Sequence, residues 1–149
     1  MPLQPPPRNQ KGEVIPHDHD GILPSDGIIR RISEQQLIFD PKINGKRVSS
    51  LALKPSSGSN GGLSVDLQQL IEEANLEAKA FVTTPRWTGS IRFEAGQFRS
   101  EGFIIGYDPL PENPYHGEVW GNFTKAKINK LFKLCIWFVP IENVLLRVD

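Results

Sequence analysis

Residues 47–76 constrain the fold most, because they join an alternating segment, a Gly/Ser-rich turn and a helical pattern in one run. Residues 48–54 alternate and predict a strand that ends before Pro55, since proline cannot donate to a sheet ladder. Residues 56–62 contain only Ser, Gly and Asn, a composition typical of a loop. Ser64 then suits a helix cap, and the apolar spacing after it predicts the first helix.

The rest of the chain predicts further short strands and a second helix. Residues 124–138 carry apolar side chains at helical spacing and stop before Pro140. Strands that follow one another through short turns favour antiparallel pairing. The sequence therefore predicts an α+β fold, with a mostly antiparallel sheet and two amphipathic helices packed on one face. The remaining predicted strands are residues 28–32, 36–39, 78–83, 90–94, 98–107, 116–120 and 144–148.

Length and composition favour one domain preceded by an arm. The chain has 149 residues, enough for one hydrophobic core. Residues 1–20 begin with a run rich in proline, glutamine and charge, which predicts a flexible N-terminal arm. Residues 21–149 are then expected to form a single α+β domain.

Charge and cysteine content restrict the environment and the partners. Lys plus Arg and Asp plus Glu both number 17, so no net charge attracts nucleic acid or an anionic membrane. Cys135 is the only cysteine, which excludes an internal disulfide and favours a reducing compartment. No secretory signal pattern opens the chain and no apolar run has the length of a membrane span. These features predict a soluble cytoplasmic protein.

His116 and Glu118 are the candidate catalytic residues. On a strand their side chains share a face, about 7 Å apart along the chain, and Trp120 follows on that face. An imidazole beside a carboxylate can act as a base with an orienting partner, or it can bind a metal. A metal needs a third ligand that the sequence does not place, so no metal and no cofactor are predicted. The alternative is an ordinary solvated strand face.

A second candidate site is the Gly/Ser loop, with Lys54 before it and Ser64 after it. Backbone N–H groups of such a loop can hold an anion, and a lysine adds charge for a phosphate. The candidate ligand-binding residues here are Lys54, Ser56, Gly61, Gly62 and Ser64. The loop lacks the Gly-Lys-Ser/Thr ending of a nucleotide-binding P-loop, so a plain connection remains the alternative.

Further candidates are aromatic and charged positions. Arg86, Trp87 and Trp120 could stack on or pair with a ligand. The run at residues 17–20, His-Asp-His-Asp, could chelate an ion, although an extended chain would point its histidines and aspartates in opposite directions. Cys135 lies on the apolar stripe of the second helix, where a thiol is normally inert.

Three functional hypotheses remain. The first is a non-catalytic binding or accessory domain of a multi-protein system, which engages a protein partner through a sheet face or the N-terminal arm. The second is a small enzyme acting on a phosphate-containing or nucleotide-like small molecule, with His116 as acid or base. The third is single-stranded nucleic-acid binding by the sheet, which the zero net charge disfavours. No membrane partner is expected.

Overall fold

The computed structural model describes residues 3–55 and 61–147, and it has an α+β fold built on a mostly antiparallel six-stranded sheet. The strands of this sheet are β1 (Gly27–Ile32), β4 (Leu63–Leu67), β5 (Gly89–Glu94), β6 (Ile104–Tyr107), β7 (His116–Trp120) and β8 (Ile136–Val139). Their order is β6-β7-β4-β1-β5-β8. A smaller sheet contains β2 (Leu37–Asp40), β3 (Gly45–Val48) and β9 (Val144–Leu145), and β3 pairs with β9 in parallel.

In the part of the chain that the structure describes, four short α-helices cover the two faces of the main sheet. They are α1 (Gln68–Glu73), α2 (Ala78–Phe81), α3 (Ala95–Arg99) and α4 (Lys125–Leu134). Ile28 and Ile29 of β1 point to opposite faces, as successive strand residues must. Ile28 belongs to the main core with residues of α3 and α4, whereas Ile29 belongs to a smaller cluster with residues of α1 and α2.

The predicted fold class is confirmed, and the helices differ from the prediction in number and placement. The sequence predicted two helices on one face, whereas the described residues contain four α-helices, two on each face. The second predicted helix is shorter than expected, because α4 ends at Leu134 and the chain continues as strand β8. Residues 136–139 pair with β5, and this pairing overrides the helical spacing of their side chains.

Within residues 47–76, part of the predicted strand is a 3₁₀ turn, and the predicted start of the first helix is a strand. The predicted strand at residues 48–54 is instead the end of β3 followed by a 3₁₀ turn, Ser50–Leu53. The side chain of Ser49 caps this turn by accepting a hydrogen bond from the Leu51 N–H. Ser64 is not a helix cap, because it lies within β4 and pairs with Glu118 of β7. The alternation of residues 63–67 fits a strand, and the helix starts only at Gln68.

Two further segments also differ from the prediction. Residues 78–83 were expected to form a strand but contain α2, where Glu77 accepts a hydrogen bond from the Ala80 N–H as an N-cap. Residues 98–107 were expected to be one strand, but α3 occupies the first part and β6 starts at Ile104. A capping box formed by Glu94 and Gln97 begins α3. Capping interactions therefore favour a helix at both places, although each contains a short apolar run.

The predicted arm contacts the edge strand β6. The Ile105 N–H donates to Asp18 Oδ1 at 3.0 Å, and the His19 N–H donates to the Ile105 carbonyl at 2.8 Å. Arg99 donates to Asp18 at 3.1 Å and to the His19 carbonyl at 3.0 Å. The flexibility of residues 1–20 stays a prediction. Within the described residues, no helix has the length and apolar character needed to cross a membrane.

Candidate functional site

Three titratable side chains meet where the β6–β7 hairpin turns. His116 and Glu118 occupy alternate positions of β7 and share one face of the sheet, as the sequence predicted. Asp108 follows the last residue of β6, and its N–H donates to the His116 carbonyl at 3.0 Å. The antiparallel pairing of the hairpin therefore brings Asp108 opposite His116.

The contacts of this cluster fix the orientation of the imidazole. His116 Nδ1 lies 2.8 Å from the Asp108 carbonyl oxygen and 3.3 Å from Asp108 Oδ2. Since a carbonyl oxygen can only accept, Nδ1 carries the proton, and Nε2 is the acceptor in the neutral ring. Nε2 lies 3.7 Å from Glu118 Oε1, which also accepts a hydrogen bond from Ser64 Oγ at 3.3 Å.

The pKa values of His116 and Glu118 are both raised, but for different reasons. Burial by itself lowers the pKa of His116, but hydrogen bonds to Asp108 and the charges of Glu118 and Asp108 outweigh it, so its pKa is raised above 6.5. Burial raises the pKa of Glu118 above 4.5, and Asp108 adds to this increase while His116, Ser64 and Arg30 oppose it. The cluster therefore retains protons to a higher pH than the isolated side chains would.

The same side chains could also offer a divalent ion one ligand atom each, and these atoms all lie within 4.8 Å of one another. However, Asp108 lies at the Nδ1 end of the imidazole and Glu118 lies at the Nε2 end. A histidine ligand binds an ion through one nitrogen and donates through the other to an orienting partner. Asp108 has the position of the orienting partner, so the arrangement suits proton transfer by His116 better than a three-ligand metal centre.

His116 lines a cleft of about 450 Å³ between β1, β4 and the loop that joins β6 to β7. We call it the central cleft. Its wall includes the proline-rich loop, which contributes Leu110, Glu112 and Asn113. The other lining residues are Arg30, Arg31, Ser64, Val65, Asp66, Phe81 and Trp87.

Arg30 and Arg31 both reach the central cleft although they leave β1 on opposite faces. The paired positions of β1 and β4 are Ile28 with Leu67 and Ile29 with Asp66. Beyond them, Arg30 Nη1 donates to the Ser64 carbonyl at 2.9 Å and its Nε donates to the Ala52 carbonyl at 2.9 Å. Burial lowers the pKa of Arg30 from its usual value, although Glu118 and Asp66 oppose this effect.

Asp66 connects β1 to the loop that carries Asp108. Its carboxylate accepts two hydrogen bonds from Arg31, from Nε at 2.8 Å and Nη2 at 3.1 Å, and one from Asn113 Nδ2 at 2.8 Å. Asn113 in turn exchanges two backbone hydrogen bonds with Leu110 and accepts one from the His116 N–H. Asp66 therefore holds the loop against the sheet next to the cluster.

Gly62 lies against the far side of Glu118. A Cβ at this position would lie 2.4 Å from Glu118 Oε2 and 2.9 Å from Trp120 Nε1. Neither of these two buried atoms has a hydrogen-bond partner among the described residues. The absence of a side chain at Gly62 therefore leaves room for the carboxylate and the indole, and it leaves an acceptor and a donor close to each other.

The structure brings together some of the predicted site residues. Glu118 contacts both His116 and Ser64, and Trp87 lines the central cleft. Gly62 and Trp120 lie beside Glu118.

Other predicted residues lie elsewhere. Lys54 is exposed and does not line the central cleft, and Gly61 has open space where a Cβ would stand. Arg86 stacks on the Trp87 ring, 5.0 Å from its centroid. Ser56 lies outside the described residues.

Sequence reasoning missed the contributions of Asp108, Asp66 and Asn113. Asp108 could have been found from the hairpin itself, because residues that flank the loop of an antiparallel hairpin face each other. The side-chain interactions of Asp66 on β4 are with Arg31 on β1 and with Asn113 in the β6–β7 loop, and no local pattern indicates them.

The His-Asp-His-Asp run makes structural contacts. His17 Nδ1 donates to the Ile15 carbonyl at 2.8 Å, and its Nε2 accepts from the Tyr107 N–H at 3.1 Å. The His17 ring also packs 5.5 Å from the Trp120 ring, centroid to centroid. Both nitrogens of His17 are therefore hydrogen-bonded, and Nε2 attaches this segment to β6.

No family model matches this chain, and no curated protein or solved structure is significantly similar to it. The function is therefore argued from the geometry of the site.

Proposed function

We propose that the protein is a small enzyme that acts on a phosphate-containing, nucleotide-like molecule bound in the central cleft, with His116 as the acid or base. One observation carries the proposal. A histidine in the wall of a cleft has Nδ1 hydrogen-bonded to Asp108 and Nε2 facing the buried carboxylate of Glu118. Titratable groups with shifted pKa values at a cleft are typical of catalytic sites.

Each group of the cluster has a separate role in this mechanism. Asp108 holds the imidazole in the tautomer that leaves Nε2 able to accept a proton. The negative charge of Glu118 stabilises the imidazolium that forms when His116 takes up that proton. Ser64 holds the Glu118 carboxylate by a hydrogen bond. His116 is the catalytic residue, and the other three are positioning residues.

The walls of the central cleft support the choice of substrate class. Arg30 and Arg31 line the cleft with guanidinium groups, a chemistry that recognises phosphate oxygens. Two nitrogens of each are already bonded, to the Ser64 and Ala52 carbonyls and to Asp66, so phosphate would be recognised through Arg30 Nη2 and Arg31 Nη1. Trp87 and Phe81 add aromatic surface on which a base can pack. A volume of about 450 Å³ falls within the usual range for small-molecule sites.

Turnover of phosphate esters is the test of this proposal. Phosphorus NMR would follow a panel of nucleoside mono- and diphosphates, cyclic nucleotides and bis(p-nitrophenyl) phosphate. We expect at least one of them to be converted, and we expect His116→Gln to lower kcat by about a hundredfold or more, the usual contribution of a general acid or base. Asp108→Asn should lower kcat less.

The matched control for Asp108→Asn is Asp20→Asn, which makes the same change at a fully exposed aspartate outside the central cleft. It should leave kcat unchanged. Conversion that persists in folded His116→Gln would refute the role of His116. A panel in which no ester reacts or binds would refute the substrate class.

A second candidate function is binding to a protein partner, as an accessory domain of a larger system. It is favoured by apolar side chains that the small sheet exposes: Ile38, Phe39 and Leu145 are 44%, 58% and 51% exposed. The register pairs Ile38 and Leu145 with Arg47 on the strand between them, so they share one face. A partner that binds the wild type but not Ile38→Ser would support this function, and equal binding by both would argue against this face.

The proposed location is the cytoplasm. Cys135 is buried and unpaired, and a protein with one cysteine needs no oxidising compartment. Fractionation of expressing cells would test this location, since recovery outside the cytoplasm would contradict it.

A further inference from the structure

A second cleft lies between the small sheet and α4. It has a volume of about 570 Å³ and shares no lining residue with the central cleft. Four cationic side chains and one carboxylate are among its described lining residues. We call it the basic groove, and its charged residues are Asp40, Lys42, Arg47, Lys133 and Arg147.

The single carboxylate of the basic groove is already paired. Asp40 Oδ2 accepts from Arg47 Nε at 2.8 Å, and Oδ1 accepts from the Lys42 N–H at 2.9 Å. The hydrogen bond from Arg47 is the largest cause of a lowered pKa at Asp40, so the carboxylate stays ionised at neutral pH. It offsets the charge of Arg47. The charge of Lys42 also contributes to the lowered pKa of Asp40, but neither lysine of the groove forms an ion pair with this carboxylate.

Lys42 and Lys133 form no salt bridge with the described residues. Because the whole chain carries as many acidic as basic residues, this excess of positive charge is a local property of the groove. The sequence does not indicate this local charge, because Lys42 and Lys133 are far apart in it and the lysines of α4 have the pattern of an ordinary solvated helix face.

Neutral donors complete the lining. Ser50 contributes a hydroxyl and Asn129 a carboxamide, and the largely buried Phe132 also lines the groove. The guanidinium of Arg147 is held in place by a hydrogen bond from Nη1 to the Cys135 carbonyl at 2.8 Å. Such a combination of oriented guanidinium, mobile ammonium and neutral donors is suited to phosphate oxygens.

We propose that the basic groove binds a small molecule with two or more phosphate groups. The lysines supply charge for one phosphate from opposite walls, since Lys42 lies in the β2–β3 turn and Lys133 in the last turn of α4. The hydroxyl and amide donors are available to a second phosphate. The volume admits a ligand of mononucleotide size. This site is separate from the proposed catalytic site and does not depend on it.

Isothermal titration calorimetry with sodium tripolyphosphate as the probe, at low salt, tests the proposal. We expect binding to the wild type with a Kd that is raised about tenfold or more in Lys42→Met/Lys133→Met, because charged contacts to phosphate are lost. Any binding in the central cleft would be a separate event that this variant leaves unchanged. The matched control is Lys46→Met/Lys125→Met, which removes two exposed lysines of β3 and α4 outside the groove. It should bind as the wild type does.

His116→Gln should also bind tripolyphosphate normally, which would show that this binding does not require the proposed catalytic residue. Three results would overturn the proposal: no binding by the wild type, equal weakening in both lysine double variants, or loss of binding in His116→Gln. Tighter binding of a single-stranded oligonucleotide than of tripolyphosphate, lost in the same groove variant, would assign the groove to nucleic acid instead and would overturn the small-molecule class.

Discussion

Asp66→Ala should destabilise the protein strongly, because Asp66 is a buried partner of three hydrogen bonds. Its side chain is 5% exposed and accepts twice from Arg31 and once from Asn113. Removing one member of a buried ion pair costs about 3–5 kcal/mol. Since the Arg31 side chain is 22% exposed and can regain some hydration, we expect a loss of about 3 kcal/mol from the free energy of unfolding.

Urea unfolding would measure this loss, and a thermal scan should show a midpoint lowered by about 6–12 °C for a chain of this size. Hydrogen exchange should also speed up at the amides of Asp108 and Leu110, which bond across the loop that Asn113 holds. Asp40→Ala is the control, because Asp40 has the same 2.8 Å contact with an arginine Nε but no bond to that loop. If Asp66→Ala loses no more stability than Asp40→Ala, the assigned role of Asp66 is wrong.

Three further predictions concern the cluster and its surroundings. The pKa values of His116 and Glu118 are raised on folding, so their contribution to stability is complete below the unfolded values and is lost as pH rises. The free energy of unfolding should therefore fall from about pH 4.5 upward and again from about pH 6.5, and the second fall should be smaller in His116→Gln. Gly62→Ala should displace the Glu118 carboxylate or the Trp120 indole and lower both stability and kcat, as urea unfolding and the ester assay would show. Burial raises the pKa of Cys135 to about 11, so the folded protein should react with a thiol reagent at mildly alkaline pH only as fast as it unfolds.

The sequence predicted those parts of the fold that depend on strand periodicity. The shared face of His116 and Glu118 follows from alternation along one strand, and the structure has them on that face. The sequence also predicted an antiparallel sheet, from consecutive strands joined by short turns. Among the neighbouring strands of the main sheet, only β6 and β7 follow each other along the chain, so the other pairings do not follow from local spacing.

Features that depend on partner strands were missed. Residues 63–67 form β4 because they pair with β1 on one side and with β7 on the other, and that pairing outweighs the helix signal that seemed to begin at Ser64. In the same way, Arg30 reaches the central cleft because it bonds to the Ser64 carbonyl beyond the paired part of the two strands. Where pairing with a neighbouring strand determines the conformation or the position of a side chain, the residue pattern of one segment does not predict it.

Nitrogen-detected NMR of His116 across a pH titration tests the central claim most directly. The account predicts that the neutral ring carries its proton on Nδ1, that its pKa lies above 6.5, and that Asp108→Asn lowers this pKa. A neutral ring protonated on Nε2, with a pKa at or below 6.5, would contradict the claim that Asp108 orients His116 for proton transfer.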